Sequence, residues 1–311
     1  MTITDSITPN KRVNEYDANE LTQYAEMQLT SPESRINLTE LSPDSSAYSI
    51  QLTIPFRKLC VGTLLLPLCS MFICFTTAYI FQSDDIHETH CRVYNIIPSI
   101  SAITGISPQR YLWRISIAIH VGPRFLIAFA YRNFYNQTIL TNAANISSMT
   151  TVKRLINTLF YLSIIEIIAL TGVTYISNKE NYPIHEKIFI TFMVASLLYM
   201  LLTIVLWKKL YPNGPPTAEE VFSLKLKKIF FVLSILSAIS LVIFFAKHRF
   251  LCHDMAFSWF ATSEYLVALF NMANHITSVF EFSNNHLMVT KNIVNQDINA
   301  SEKTQDDKKI N

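Results

Sequence analysis

The sequence predicts an all-α protein, a polytopic membrane bundle of six transmembrane helices with both termini in the cytosol. Two observations carry that class. Six apolar runs each approach the ~20 residues that a bilayer core requires. Half of the residues are hydrophobic, only 15% are charged, and the mean hydropathy is +0.27 even though polar residues crowd the two ends. The same composition excludes other classes. Five glycines leave little room for nucleotide-binding loops, and no cofactor is called for. A net charge of +2, broken up by apolar runs, argues against nucleic acid.

Residues 1–53 read as a solvated cytosolic tail, because residues 1–50 lack any apolar run and are rich in Ser, Thr, Asn, Asp and Glu. The first apolar run begins near Leu59, too far in for a cleavable signal peptide, so it acts as an uncleaved signal-anchor. The membrane domain occupies 54–283, with spans at about 59–81, 111–131, 155–176, 187–207, 229–247 and 256–280. Residues 284–311 form a second cytosolic tail. The run 211–216, Tyr-Pro-Asn-Gly-Pro-Pro, is a rigid turn between the fourth and fifth spans.

Basic residues set the orientation. Arg57, Lys58, Arg132, Lys153, Arg154, Lys208, Lys209, Lys225, Lys227, Lys228 and Lys291 flank one side. The other side has fewer cations and the acidic run Asp84, Asp85, Glu88. Basic flanks favour the cytosol, so loops 82–110, 177–186 and 248–255 face the lumen or exterior. The sequons at Asn37, Asn136, Asn145 and Asn299 then fall on the cytosolic side and stay unglycosylated.

The second span carries Arg114, His120 and Arg124. A central Arg costs roughly 2.5 to 3.5 kcal/mol on insertion scales, so such groups pair with something or handle something. His120 and Arg124 lie one turn apart and share a face. In the sixth span Glu264, Asn271 and His275 fall within ~20° of one face at ~100° per residue. With Glu166 of the third span, these residues predict a polar cavity inside the bundle. Interhelical hydrogen bonding is the plainer role for the same seam. Candidate bases are His120, His185 and His275, and candidate orienters are Glu166, Glu186 and Glu264. No His-x4-Asp box, Gly-x-Ser-x-Gly elbow, His-Glu-x-x-His or Asp-His-His-Cys motif is present, so any chemistry comes from residues on different helices.

Cys91 and Cys252 fall in lumenal loops, where an oxidising compartment favours a disulfide. Zinc binding and free thiols are the competing roles, since His87, His90, His248 and His253 lie nearby in sequence. That spacing fits no standard zinc motif. Cys60, Cys69 and Cys74 read as small packing residues.

Several motifs taken together resemble the post-GPI attachment to proteins factor 2 family. They are Ile54-Pro-Phe, Thr89-His-Cys91, Pro98-Ser-Ile-Ser101, Pro108-Gln-Arg-Tyr-Leu-Trp-Arg114 and the run His120 to Tyr131. Glu166, Ile184-His-Glu186, Leu201 to Trp207, Cys252, Glu264-Tyr265 and Asn271-Met-Ala-Asn-His275 follow in order, covering about residues 54 to 290. The long N-terminal tail departs from the family's shorter leader.

The resemblance implies a role in maturing glycosylphosphatidylinositol (GPI) anchors by fatty-acid remodelling in the Golgi. There a saturated chain is installed at the sn-2 position of lyso-GPI. The partners it implies are the GPI lipid of GPI-anchored proteins and membrane lipids, with the acyl donor unassigned. Within that role Arg110 and Arg114 are expected to bind the anionic headgroup, with His90 and His185 as further substrate contacts. Helix-end snorkelling is the plainer role for the two arginines. His120 is expected to act as base, Glu166 or Glu264 to orient it, and Arg124 to stabilise developing charge, with His275 beside them. A non-catalytic lipid-binding or lipid-moving accessory and a proton-coupled transporter are the alternative classes. Lys308-Lys309-Ile310-Asn311 resembles a dilysine retrieval signal read by coat proteins, which implies cycling through the endoplasmic reticulum.

Overall fold

The computed structural model describes residues 47–142, 146, 148–282 and 285–293. Both tails beyond them, with Lys308, Lys309, Asn37 and Asn299, lie outside the described residues, as does Asn145. The chain divides into two compact units. The larger, Thr53–Met288, holds the helices; the smaller contributes residues 47–52 and 289–293 to the description.

The described helices are α1 (Phe56–Phe81), α2 (Ser83–His87), α3 (Ile100–Thr104), α4 (Gln109–Thr141), α5 (Met149–Tyr175), α6 (Tyr182–Leu210), α7 (Ala218–Leu251), α8 (Ala256–Ile276) and α9 (Ser278–Glu281). Five of them, α1, α4, α5, α6 and α7, are long and apolar enough to cross a membrane. This is a helical membrane protein. The sixth expected span corresponds to α8, whose 21 residues reach about 31 Å at 1.5 Å per residue. Glu264, Asn271, Asn274 and His275 interrupt it, so its most apolar stretch falls short of those in the other five.

Several helices outrun their apolar runs. α4 continues to Thr141 and α7 starts at Ala218, because hydropathy marks only the lipid-facing stretch while backbone bonding carries on into polar flanks. Local signals set the ends. Asn181 caps α6 by accepting the Ile184 N–H, and Pro183 sits in its first turn. Thr217 and Glu220 form a reciprocal capping box on α7.

Two strands, β1 (Ala47–Pro55) and β2 (His286–Ile293), form a two-stranded sheet that the sequence reading had not separated from the tails. The alternation Tyr48, Ile50, Leu52, Ile54 is the period-2 pattern that marks β1.

α1 packs on α4, α4 on α5, α5 on α6, and α7 on both α6 and α8. One apolar core gathers Phe56, Tyr131, Tyr135, Trp207 and Phe282. Outward-facing Phe72, Ile119, Ile168 and Ile239 are exposed, as a lipid-facing surface requires. At the opposite end from that core, Cys91 and Cys252 are joined in a disulfide. The segment after Cys91 is strapped to the α7–α8 turn. The Met255 N–H donates to the Tyr94 carbonyl, and the Ile96 and Ile97 N–H groups donate to Ser258 Oγ. Arg92, Cys252 and Met255 all hold positive φ here, so these straps impose a backbone shape that side chains ordinarily avoid.

Candidate active site

The site begins with a proline. Pro67 inside α1 has no N–H for the Thr63 carbonyl one turn earlier. An unpaired carbonyl within a membrane helix is costly, and His120 of α4 supplies the missing donor from Nδ1 at 2.6 Å. That bond places the proton on Nδ1 and leaves Nε2 as the basic nitrogen. The group that orients His120 is therefore a backbone carbonyl, not the expected Glu166 or Glu264.

One turn on, Arg124 Nη2 lies 3.2 Å from Glu166 Oε1 of α5 and 3.1 Å from His275 Nε2 of α8. His275 Nε2 is also 2.9 Å from the same Oε1, and Asn271 Nδ2 donates to that oxygen at 3.1 Å. A single ring nitrogen cannot accept from Arg124 while donating to Glu166. The carboxylate oxygen settles the choice: Nε2 carries the proton toward Glu166, and Arg124 pairs with the carboxylate. Asn271 also bonds Ser196 Oγ of α6, so the network ties four helices together. Of the residues expected to share a cavity, Arg124, Glu166, Asn271 and His275 meet in this network. Glu264 does not.

Glu264 lies two turns from Asn271 on α8, with Oε2 accepting the Ile100 N–H at 2.9 Å. Beside it stands a group to which the sequence reading gave no role. Ser101 of α3 has Oγ 2.9 Å from His185 Nε2, while His185 Nδ1 lies 2.7 Å from the Ile176 carbonyl. The carbonyl can only accept, so Nδ1 carries a proton; in the neutral ring Nε2 then accepts from the Ser101 hydroxyl, which also stands beside the Glu264 carboxyl group. Hydroxyl, imidazole and carbonyl form one oriented chain. Its sequence signal was the pair of serines in Pro98-Ser-Ile-Ser101, where Ser99 caps α3 by accepting the Ala102 N–H and leaves Ser101 in the first turn.

Two cavities meet at this chain. One of about 620 Å³ runs between α6, α7 and α8, walled by Phe189, Met193, Leu241, Phe245 and Phe260. A smaller one of about 100 Å³ reaches His120, Arg124 and Asn271. Ser101, His185, Phe189 and Glu264 line both. Exposed Ile190 and Val242 flank the larger cavity on its apolar side, and exposed Glu88, His90 and Arg249 flank its polar edge.

Arg110 and Arg114 are already occupied. Arg114 Nη2 donates to both Glu180 oxygens at 3.0 and 2.9 Å and to the Tyr175 carbonyl, while Arg110 donates to the Gly105 carbonyl and stands 3.8 Å from Glu180. Glu180 also accepts from the Ser177 N–H and hydroxyl. The Ser177 N–H and the Arg114 guanidinium hold its carboxyl down at about 2. Glu180 thus engages Arg114 directly and Arg110 only at the longer distance, and both guanidinium-bearing side chains remain partly exposed. His90 stacks edge-on against His248 beside the disulfide, which occupies both sulfurs of the His90–Cys91–Cys252 cluster.

A second buried network escaped the sequence reading. Lys227, counted there as a flanking cation, lies buried with Nζ 2.7 Å from Glu281 Oε1 and also bonds Thr277. Tyr131 donates to Glu281 Oε2 at 2.6 Å, so α4, α7 and α9 are joined.

The Frag1/DRAM/Sfk1/Cwh43P N-terminal domain family matches residues 55–285. The chain is 53% identical over 80% of its length to a Drosophila melanogaster protein named post-GPI attachment to proteins factor 2-like, covering 76% of that protein. It belongs to the post-GPI attachment to proteins factor 2 family. A second member, the acyltransferase PGAP2 of Xenopus tropicalis, is 35% identical over 81% of this chain and 97% of its own. Post-GPI attachment to proteins factor 2 of Caenorhabditis elegans is 30% identical over 77% of the chain and 90% of its own. No solved structure matches. The matched stretch holds every group described above, from Thr63 to Glu281.

Proposed function

We propose that the protein matures GPI anchors by reacylating lyso-GPI at the sn-2 hydroxyl with a saturated chain, in Golgi membranes. The reaction needs an apolar slot for the chain, a base for the hydroxyl proton, and access from the membrane. The observation that carries the proposal is the 620 Å³ cavity itself. Its walls are aliphatic and aromatic, its flank opens on lipid-facing side chains, and it narrows onto a histidine that already holds a hydroxyl at 2.9 Å. The names of the relatives, one of them an acyltransferase, support the same reading.

Of the two histidines fixed by carbonyls, His185 is the better base. It lines both cavities, whereas His120 lines the smaller one alone. The Arg124–Glu166–His275–Asn271 network then closes the inner end of the site and holds its helices in register. The disulfide supports placing the cavity mouth on the lumenal face, where the acceptor lipid lies.

Purified full-length protein in liposomes containing lyso-GPI and labelled diacyl phospholipid should yield diacyl GPI. Binding of lyso-GPI without turnover, under conditions that include acyl thioester as well as phospholipid, would assign an accessory role instead.

A further inference from the structure

Ser101 and His185 are arranged as a nucleophile and its base, with the base held by a third group. Ser101 Oγ lies 2.9 Å from Nε2, inside the range for proton transfer, and the Ile176 carbonyl fixes the ring from the far side at 2.7 Å. Glu264 pins the backbone next to the serine through the Ile100 N–H, so the hydroxyl stands on a braced turn. The hydroxyl faces both cavities, and the larger one presents an apolar wall to anything attached there.

The cavity also points to the acyl donor. Coenzyme A thioesters carry several phosphates and are dissolved in the cytosol. The cavity lining holds one arginine, Arg249, and no lysine, and it adjoins a disulfide that belongs to an oxidising compartment. A glycerophospholipid has one backbone phosphate, matching one arginine, and two chains that enter past Ile190 and Val242 directly from the bilayer.

We propose that Ser101 is the acyl carrier of a two-step transfer whose donor is a glycerophospholipid, an assignment that rests on the reading of the protein as a lyso-GPI acyltransferase. In the first step Ser101 Oγ attacks the donor ester carbonyl while His185 Nε2 takes the hydroxyl proton. The glycerol C–O bond breaks, the proton passes to the leaving lysophospholipid, and an acyl-Ser101 ester remains. In the second step the sn-2 hydroxyl of lyso-GPI gives its proton to His185 and attacks that ester, and the serine leaves with the proton restored. One ester is exchanged for another, and neither an oxidant nor a metal enters the balance.

The test uses full-length protein in phosphatidylcholine vesicles with a radiolabelled saturated sn-2 chain and no lyso-GPI. Label should appear on the Ser101 peptide, stable to neutral hydroxylamine and released by alkaline hydroxylamine. Ser101→Ala should remove it. Ser101→Cys should restore it as a thioester sensitive to neutral hydroxylamine, and His185→Gln should slow its formation about 100-fold or more. An alkyl fluorophosphonate should label the same serine. Retained disulfide and unchanged elution on gel filtration show that the variants are folded. Folded wild type with no acyl-Ser101 and no fluorophosphonate adduct overturns the assignment. If such vesicles still acylate added lyso-GPI, the transferase reading survives with direct transfer. If acylation requires added acyl thioester, the phospholipid donor is wrong. If neither donor supports it, the transferase reading falls as well.

Discussion

His120 and Thr63 are joined by a 2.6 Å hydrogen bond that exists because Pro67 leaves the Thr63 carbonyl without its helical donor. Two helices are thereby locked together through a defect in one of them. His120→Ala should destabilise the protein by about 1–3 kcal/mol, the cost of a buried carbonyl left unpaired. In a Pro67→Ala background residue 67 regains an N–H, so the same His120→Ala change should cost less. Thermal unfolding of the four proteins in detergent reads this coupling directly. Equal costs in both backgrounds would show that the bond carries no weight.

Arg124 and Glu166 are both nearly sealed from solvent, with side chains 7% and 2% exposed. Breaking such a pair leaves one charge buried alone, a loss of about 3–5 kcal/mol. Arg124→Met and Glu166→Met should each lower folded yield sharply, and the double variant should recover most of it. A double variant no better than the singles would mean that the network does more than neutralise charge.

The helices were legible in the sequence because lipid imposes long apolar runs, and the polar seams on α4 and α8 were legible from helical periodicity. Which seams meet was not. Glu264 and Asn271 share a face, yet Asn271 joins Glu166 while Glu264 braces Ile100, two turns away along the same helix. The serines of Pro98-Ser-Ile-Ser101 signal a helix start and not chemistry, since a serine in a short loop helix gains its chemistry only when α6 brings His185 against it. Lys227 read as a membrane-flanking cation because its partner, Glu281, lies 54 residues on, where α9 folds back against α7.

Gly105 follows α3 directly, and a Cβ there would lie 2.7 Å from the Ser101 carbonyl oxygen and 2.8 Å from Asn178 Oδ1. Gly105→Ala should displace the turn that carries Ser101 at a cost of about 1–3 kcal/mol. Acyl transfer should fall more than folded yield does. Gly62→Ala, whose Cβ meets nothing within 4 Å, is the matching control and should be near neutral in both assays.

Glu180 titrates at about 2 in the folded protein against an ordinary 4.5, because the Ser177 N–H and Arg114 bind its charged form. A depressed carboxyl contributes its full stabilisation above the unfolded value of 4.5 and loses it as pH falls toward 2. Wild type should therefore lose more stability than Glu180→Gln across that window, with the two curves parallel above it. The side chain is 42% exposed, so the difference should shrink as salt is added. Parallel curves down to pH 2 would show that the Arg114 clamp does not form in solution.

The most direct measurement is the sn-2 chain composition of GPI-anchored proteins from cells lacking this protein. Those cells should carry lyso-GPI or unsaturated chains, and wild-type protein should restore saturated ones, while His185→Gln at matched expression should not. Unchanged GPI lipids in the deficient cells would show that this protein does not reacylate lyso-GPI.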